Sequence, residues 1–306
     1  MGDPVMFDRA ALRLTLGLVL IGTVGAAVVA SGLDPITIVF WRSAIATLFL
    51  LVWCFATGIL PDRTLTLRNL ALGAVAGTSL VMSWAAFFGG IMLTSISTAT
   101  ILFHIQPFLI LLISAAIWKE RVSLNQTIWL AGAFAGVVLA SGLSLSSGEV
   151  DPDWLLGIGI TLGGAFFYAI TAIAGKGLAG QRGEITTLCQ TVVGIIVFAP
   201  FVDFSQDITL PSWGWVAMVG VLQTGVAWVL IYSAYPYVST PVLAVLSFVN
   251  PLTAIMTDWL FFDHLLGWPQ ALGMVLIVIG TLGIKLDWRL VPAPRVSPPA
   301  TPSANR

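Results

Sequence analysis

A chain of 306 residues with 58% hydrophobic and only 9% charged side chains, and a mean hydropathy of +0.99, cannot clothe a water-soluble surface; soluble domains carry about 25% charged residues. The net charge of −1 and the scattered Lys and Arg leave no basic patch, which excludes nucleic acid as a partner. Two cysteines, Cys54 and Cys189, lie inside apolar runs, so neither a disulfide framework nor a metal site follows.

In chain order, Arg9 and Arg13 precede the first apolar run, and Val28-Val29-Ala30 resembles a signal-peptidase site. The run from Leu14 to Ala30 is long for a cleaved signal, and its loss would leave the segment near Trp154 without a counterpart. It is read as a retained first helix. Apolar runs of about 17–25 residues mark spans. The predicted spans are Leu12–Ala30, Ile36–Thr57, Asn69–Leu93, Ser97–Trp118, Thr127–Leu145, Trp154–Leu178, Ile185–Val202, Ser212–Tyr235, Thr240–Phe262 and Pro269–Leu286. Asp34-Pro35, Pro61-Asp62, Ser146-Ser147-Gly148, Asp151-Pro152, Pro211, Pro236 and Pro241 punctuate them. The tail after Leu290, rich in Pro, Ser and Ala, is expected to be disordered.

The basic residues set an orientation. With the N-terminus cytoplasmic, twelve of the thirteen Lys and Arg fall on inside segments, and the thirteenth, Arg42, lies within the second span. The outside loops carry Asp34, Glu149, Asp151, Asp153, Asp203, Asp207 and Asp263. Both termini are therefore expected to be cytoplasmic, with the chain in the cytoplasmic membrane. The expected division is a cytoplasmic N-terminus (1–11), a first five-helix repeat (12–145), an external linker (146–153), a second repeat (154–286) and a cytoplasmic tail (287–306).

The repeat rests on one gapless offset. At 144 residues, Trp84 falls on Trp228, Pro107 on Pro251, Gln126 on Gln270 and Gly136 on Gly280. Duplication of this kind is a mark of transporters. Five spans is an odd number, so the second copy is inserted upside down. The fold class read from the sequence is an all-α integral membrane protein of ten helices, two inverted repeats around a central cavity. Glycine pairs Gly73/Gly77, Gly132/Gly136 and Gly159/Gly163 point to tight packing within one bundle, and a monomer is expected.

Pro107 and Pro251 each remove a helix hydrogen bond in mid-span, which reads either as a plain packing kink or, since both breaks stand at equivalent positions, as hinges around a central site. Helical spacing puts Thr100, His104, Pro107 and Leu111 on one stripe and turns Gln106 away from it. The substrate-binding candidates are His104, Phe103, Trp84, Phe88, Tyr168, Trp228, Tyr232, Ser247 and Asn250. They describe a cavity with aromatic walls and little fixed charge, suited to a small amphiphilic solute; each aromatic residue is equally readable as bundle core. His104, the mid-membrane histidine, either meets substrate or a proton, or is a neutral imidazole bonded to a neighbouring helix. Arg42 and Asp258 lie toward the outer side of their spans, as an ion pair or gate, or else snorkelling to the interface. Glu120, between Lys119 and Arg121, reads as part of a solvated cluster.

Two five-helix halves, a mid-span proline in the fourth and ninth helices, Lys119-Glu120-Arg121, then Gln126 and Gly136 resemble the tandem EamA-type repeats of the drug/metabolite transporter superfamily. Asp34-Pro35 followed by Phe40-Trp41-Arg42 is similar to that family's second helix. The aromatic, His104-containing centre is similar to bacterial amino acid exporters of the YddG type. One departure is Asp263-His264, where the family has a Glu matching Glu120. The resemblance implies alternating access by rocking halves and efflux of small metabolites, most of all amino acids with aromatic or other apolar side chains. A multidrug or nucleoside exporter is the alternative within the class. A passive channel and a membrane-embedded enzyme compete from outside it, although no HExxH, GxSxG or Walker-type loop is present, so no catalytic residue, metal or cofactor is expected. The expected partners are a small-molecule substrate and the lipid bilayer.

Overall fold

The computed structural model describes the chain except for residues 1–3, 61–65, 120–122, 141–150, 177, 179–180, 235–236, 238–245, 247–248, 265, 287 and 291–306. The protein is all-helical, with ten spans labelled α1 to α10. The first repeat holds α1 (Pro4–Gly22 and Val24–Ser31), α2 (Pro35–Ala56), α3 (Leu67–Leu93), α4 (Ile96–Phe103 and Gln106–Trp118) and α5 (Leu124–Ala140). The second holds α6 (Pro152–Lys176), α7 (Gly183–Phe198) and α8 (Leu210–Met218, a π-helical Val219–Val226, and Ala227–Ala234). It closes with α9, described over Val249–Phe262, and α10 (Trp268–Lys285). Among the described residues, seven helices are long and apolar enough to cross a membrane.

Local chemistry explains the ends. Asp34 caps α2, its carboxylate accepting from the amides of Ile36 and Thr37 at 3.0 Å each, with Pro35 in the first turn. Gly32 closes α1 with a left-handed φ of 66°, which glycine adopts without steric cost. The two glutamines matched by the repeat do the same work twice. Gln126 Oε1 accepts from Ser123 N at 2.8 Å, and Gln270 Oε1 accepts from Gly267 N at 2.9 Å, at the starts of α5 and α10; Ser123 Oγ completes a capping box by accepting from Gln126 N at 3.2 Å, whereas Gly267 has no side chain to do so.

The principal helix contacts follow the 144-residue offset. α3 lies along α6 as α8 lies along α1, and α3 touches α7 as α8 touches α2. The pairs α2–α7, α4–α9 and α5–α10 each join a helix to its own copy, so they lie on a pseudo-twofold axis. Thr47 donates to Thr191 at 2.9 Å, a bond between residues 144 apart. At the α5–α10 seam a Cβ on Gly136 would meet the Gly273 carbonyl oxygen at 2.7 Å and Ile277 at 2.9 Å. A Cβ on Gly280 would meet the Trp129 carbonyl oxygen at 3.1 Å and Ala133 at 3.2 Å. The two seam contacts are the same contact, copied. Of the other predicted glycine pairs, Gly77 packs on Val193 of α7, whereas Gly132, Gly159 and Gly163 have nothing within 4 Å.

Candidate functional site

A cavity of about 360 Å³ sits on this axis. Repeat-equivalent residues line it from both halves: Trp84 with Trp228, Gln106 with Asn250, Ile110 with Ala254, and Phe87 with Ile231. Midplane cavities at a repeat interface are where transporters hold their solute.

The cavity wall turns on the break in α4. Pro107 has no N–H, so the Phe103 carbonyl loses its helical donor. The backbone tightens into three-residue turns there: His104 N donates to Ile101 O and Ile105 N to Leu102 O, both at 3.1 Å. That leaves the Thr100 carbonyl without its usual partner, and His104 Nδ1 takes it at 2.7 Å. A carbonyl only accepts, so Nδ1 carries the proton and Nε2 is the ring position left to gain or lose one. The histidine thus repairs the break that the proline makes.

The break also overturns one expectation. Counting 100° per residue through the span turns Gln106 away from the His104 face, yet Gln106 lines the cavity with His104. The count fails because residues 104–105 are not α-helical and the register restarts at Gln106.

Arg42 is the second correction. A cavity with little fixed charge was expected, but Arg42, 3% exposed, is in its wall. Nε and Nη2 donate to Thr224 Oγ1 at 3.1 and 2.9 Å, and the guanidinium lies 3.8 Å from the Trp84 ring centroid and 5.3 Å from that of Phe88. Thr224 gives its own proton to Val219 O at 2.8 Å, a five-residue step made possible by the π-helical turn. Its oxygen is therefore free to accept from Arg42. Cation–π contacts stabilise by about 0.5–2 kcal/mol, against roughly 2.5–3.5 kcal/mol or more for an arginine in mid-membrane. The charge is held but not neutralised: among the described residues the carboxylate ion pair is that of Asp258 with His264.

Asp258 is therefore not the partner of Arg42. Fully buried on α9, its carboxylate accepts from Ser97 N, at the start of α4, at 2.8 Å and from His264 Nδ1 at 2.9 Å. An anion at a helix N-terminus is a favourable arrangement. Beside it Gln270 Nε2 donates to Thr98 Oγ1 at 3.2 Å, so α9 and α10 both clasp the first turn of α4.

Of the other sequence candidates, Trp84, Phe88, Phe103, Tyr168, Trp228 and Asn250 line the cavity with His104. Pro251 is buried but lines a separate void of about 10 Å³ behind His104. Ser247 and the side chains of Tyr232 and Pro107 lie outside the described residues. Sequence reasoning missed Gln223, which also lines the cavity. Its Nε2 donates to Thr23 Oγ1 at 2.7 Å. Thr23 has already committed its proton to Leu20 O at 2.8 Å, which fixes the orientation of the amide and leaves Gln223 Oε1 buried without a donor. Gln106 Oε1 is in the same condition. A buried glutamine in a helix two residues from a glycine was the available signal for Gln223. Among the described residues, no three His, Cys, Asp or Glu side chains gather as a metal-binding cluster.

Comparison with known proteins agrees with this architecture. The EamA-like transporter family model matches residues 11–142 and again 155–286. The chain is 28% identical over 277 residues to an uncharacterized transporter, YxxF, of Bacillus subtilis, covering 89% of this chain and 88% of that protein. It is 26% identical over 256 residues to the pseudopaline exporter CntI of Pseudomonas aeruginosa, covering 81% and 85%. A solved crystal structure of 19% identity superposes with a TM-score of 0.64, covering 91% of this chain and 97% of the other.

Proposed function

Because this chain belongs to the EamA-like transporter family, with one copy of the family's unit in each half, we propose that it is a secondary transporter exporting amino acids with aromatic or other apolar side chains across the cytoplasmic membrane. The observation that carries this reading is the cavity on the repeat axis, walled by Trp84, Phe87, Phe88, Phe103, Tyr168 and Trp228. Its volume of about 360 Å³ lies within the range of small-molecule sites, about 300–1,000 Å³. Aromatic walls remove an apolar side chain from water, and the polar residues at His104, Asn250 and Arg42 orient what is attached to it.

Alternating access then follows from the inverted repeat: the halves rock about the axis and exchange roles on either side of the site. The clasp at Asp258 closes the end where α4 begins. The distribution of Lys and Arg supports placing that end outside and both termini in the cytoplasm. Pro107 and Pro251 are the hinge positions, and proton coupling would run through Nε2 of His104 in the cavity wall. Export as the direction draws its support from the relative named as an exporter.

Purified protein in proteoliposomes, loaded with an amino acid panel and assayed for counterflow with and without a pH gradient, tests the reading. Saturable exchange of an aromatic amino acid is expected. Exchange of nucleosides or cationic drugs in its place would move the protein to the alternative substrate class, and a rate indifferent to the pH gradient and to His104→Ala would remove the proton role.

A further inference from the structure

Resting on the transporter reading above, we infer that Arg42, Gln106 and Gln223 form a headgroup subsite that reads the zwitterion of an α-amino acid, Arg42 taking the carboxylate and the two amide oxygens the ammonium. Three incomplete groups belong to residues that line one cavity, and what each lacks is the complement of that headgroup; Gln106 Oε1 and Gln223 Oε1 lie in the wall without accessible surface, so the ammonium meets them as those side chains turn toward it.

Arg42 supplies a positive charge with no carboxylate on it. Two of its nitrogens are occupied by Thr224, and Nη1 has no hydrogen-bond partner among the described residues. The π faces of Trp84 and Phe88 attract the cation but give its remaining N–H groups no acceptor in the guanidinium plane. A carboxylate does both, adding charge-assisted hydrogen bonds. Gln106 Oε1 and Gln223 Oε1 need the opposite: each is a buried acceptor with no donor. Native proteins rarely leave such oxygens unpaired, and a ligand ammonium has three N–H groups to give. Gln223 and Thr224 are adjacent on the π-helical turn, so the element that anchors the arginine also carries one of the acceptors. The corresponding stretch of α3, within Leu67–Leu93, is ordinary α-helix, with Ser79 at the position of Gln223. Arg42 is likewise matched by Thr186. Arg42 and Gln223 thus have no counterpart in the other half, whereas Gln106 is matched across the cavity by Asn250.

The test compares three ligands differing only at the headgroup: an aromatic amino acid, its decarboxylated amine and its deaminated carboxylic acid. Each competes for counterflow of the labelled amino acid in proteoliposomes and is scored by ligand-induced thermal shift in detergent. The wild type is expected to prefer the amino acid over both analogues by tenfold or more. In Arg42→Gln, amino acid affinity falls roughly 30-fold or more, the loss typical of a buried charge pair stripped of one partner, and the advantage over the amine disappears. Arg42→Lys recovers part of it. In Gln106→Leu the advantage over the deaminated acid shrinks by about tenfold. Because Gln106 Oε1 bonds nothing in the empty protein, that variant keeps or raises its melting temperature, which guards against a folding artefact. Amino acid transport with headgroup preferences unchanged in Arg42→Gln and Gln106→Leu overturns the subsite and leaves the transporter reading standing. A protein that transports no amino acid, yet shows an Arg42-dependent shift with the carboxylic acid alone, overturns the zwitterion and the amino acid reading together.

Discussion

The α5–α10 seam and the α4–α9 crossing lie on the same axis, and they treat the duplication in opposite ways. At the seam the two tightest contacts of each glycine have their copies: Gly136 against Gly273 and Ile277, Gly280 against Trp129 and Ala133. At the crossing Asp258 holds Ser97 N, and the sequence forbids the copy of that bond. The residue matching Asp258 is Ser114, which has no carboxylate, and the residue matching Ser97 is Pro241, which has no amide proton. His264, the other partner of Asp258, is matched by Glu120. The scaffold has kept its symmetry where helices must approach closely, and has lost it where one end must be held more firmly than the other.

The largest expected effect is at the seam. Leucine at Gly136 or at Gly280 drives a side chain into a backbone carbonyl, and either change is expected to cost about 3 kcal/mol or more, beyond the usual penalty for an overfilled core. Size-exclusion profiles of both variants should collapse alike, while Gly132→Leu, with open space around it, runs as wild type. A seam in which one glycine tolerates leucine would break the symmetric half of the comparison.

Next comes the clasp. Asp258→Ala leaves the Ser97 amide buried without an acceptor, about 1–3 kcal/mol, so hydrogen exchange in the first turn of α4 should quicken by tenfold or more. Ser114→Ala, at the matching position, should leave exchange in α9 as it was. Equal responses would mean that the two ends are held by something other than this carboxylate. The smallest effect is on the axis: Thr47→Val should lower stability by about 1 kcal/mol, Thr191→Val by somewhat more because it also gives up the bond to Leu188 O, and the double variant by little more than Thr191→Val alone, since the shared hydrogen bond is lost only once.

The scaffold was legible in the sequence because duplication leaves identities where packing tolerates no substitute. Gly136 with Gly280 and Gln126 with Gln270 survived as pairs, one for close approach and one for helix capping. The aromatic wall was legible for a related reason, since Trp84 and Trp228 stand mid-span, away from the headgroups that usually hold an indole. The polar half of the site was legible only at His104 and Asn250. Gln106 was misplaced because a helical wheel assumes an unbroken helix, and the turn at His104–Ile105 resets it. Arg42 read as half of an ion pair or gate with Asp258, or as snorkelling to the interface, because nothing local shows that Thr224, 182 residues away, receives it. Nor does any residue pattern announce the π-helical turn that lets Thr224 do so.

The bond between Thr47 and Thr191 has an arrow. Thr191 gives its proton to Leu188 O at 3.0 Å, so it receives from Thr47 and cannot return the favour. Two hydroxyls on a twofold axis can never be equivalent while a single proton lies between them. In an exchange of conformations between the halves, as proposed above, the arrow would reverse, with Thr191 pointing at Thr47 and Thr47 turning to the carbonyl of Ala44, the mirror of Leu188. One hydroxyl rotation at the centre of the molecule would then record which way the transporter faces.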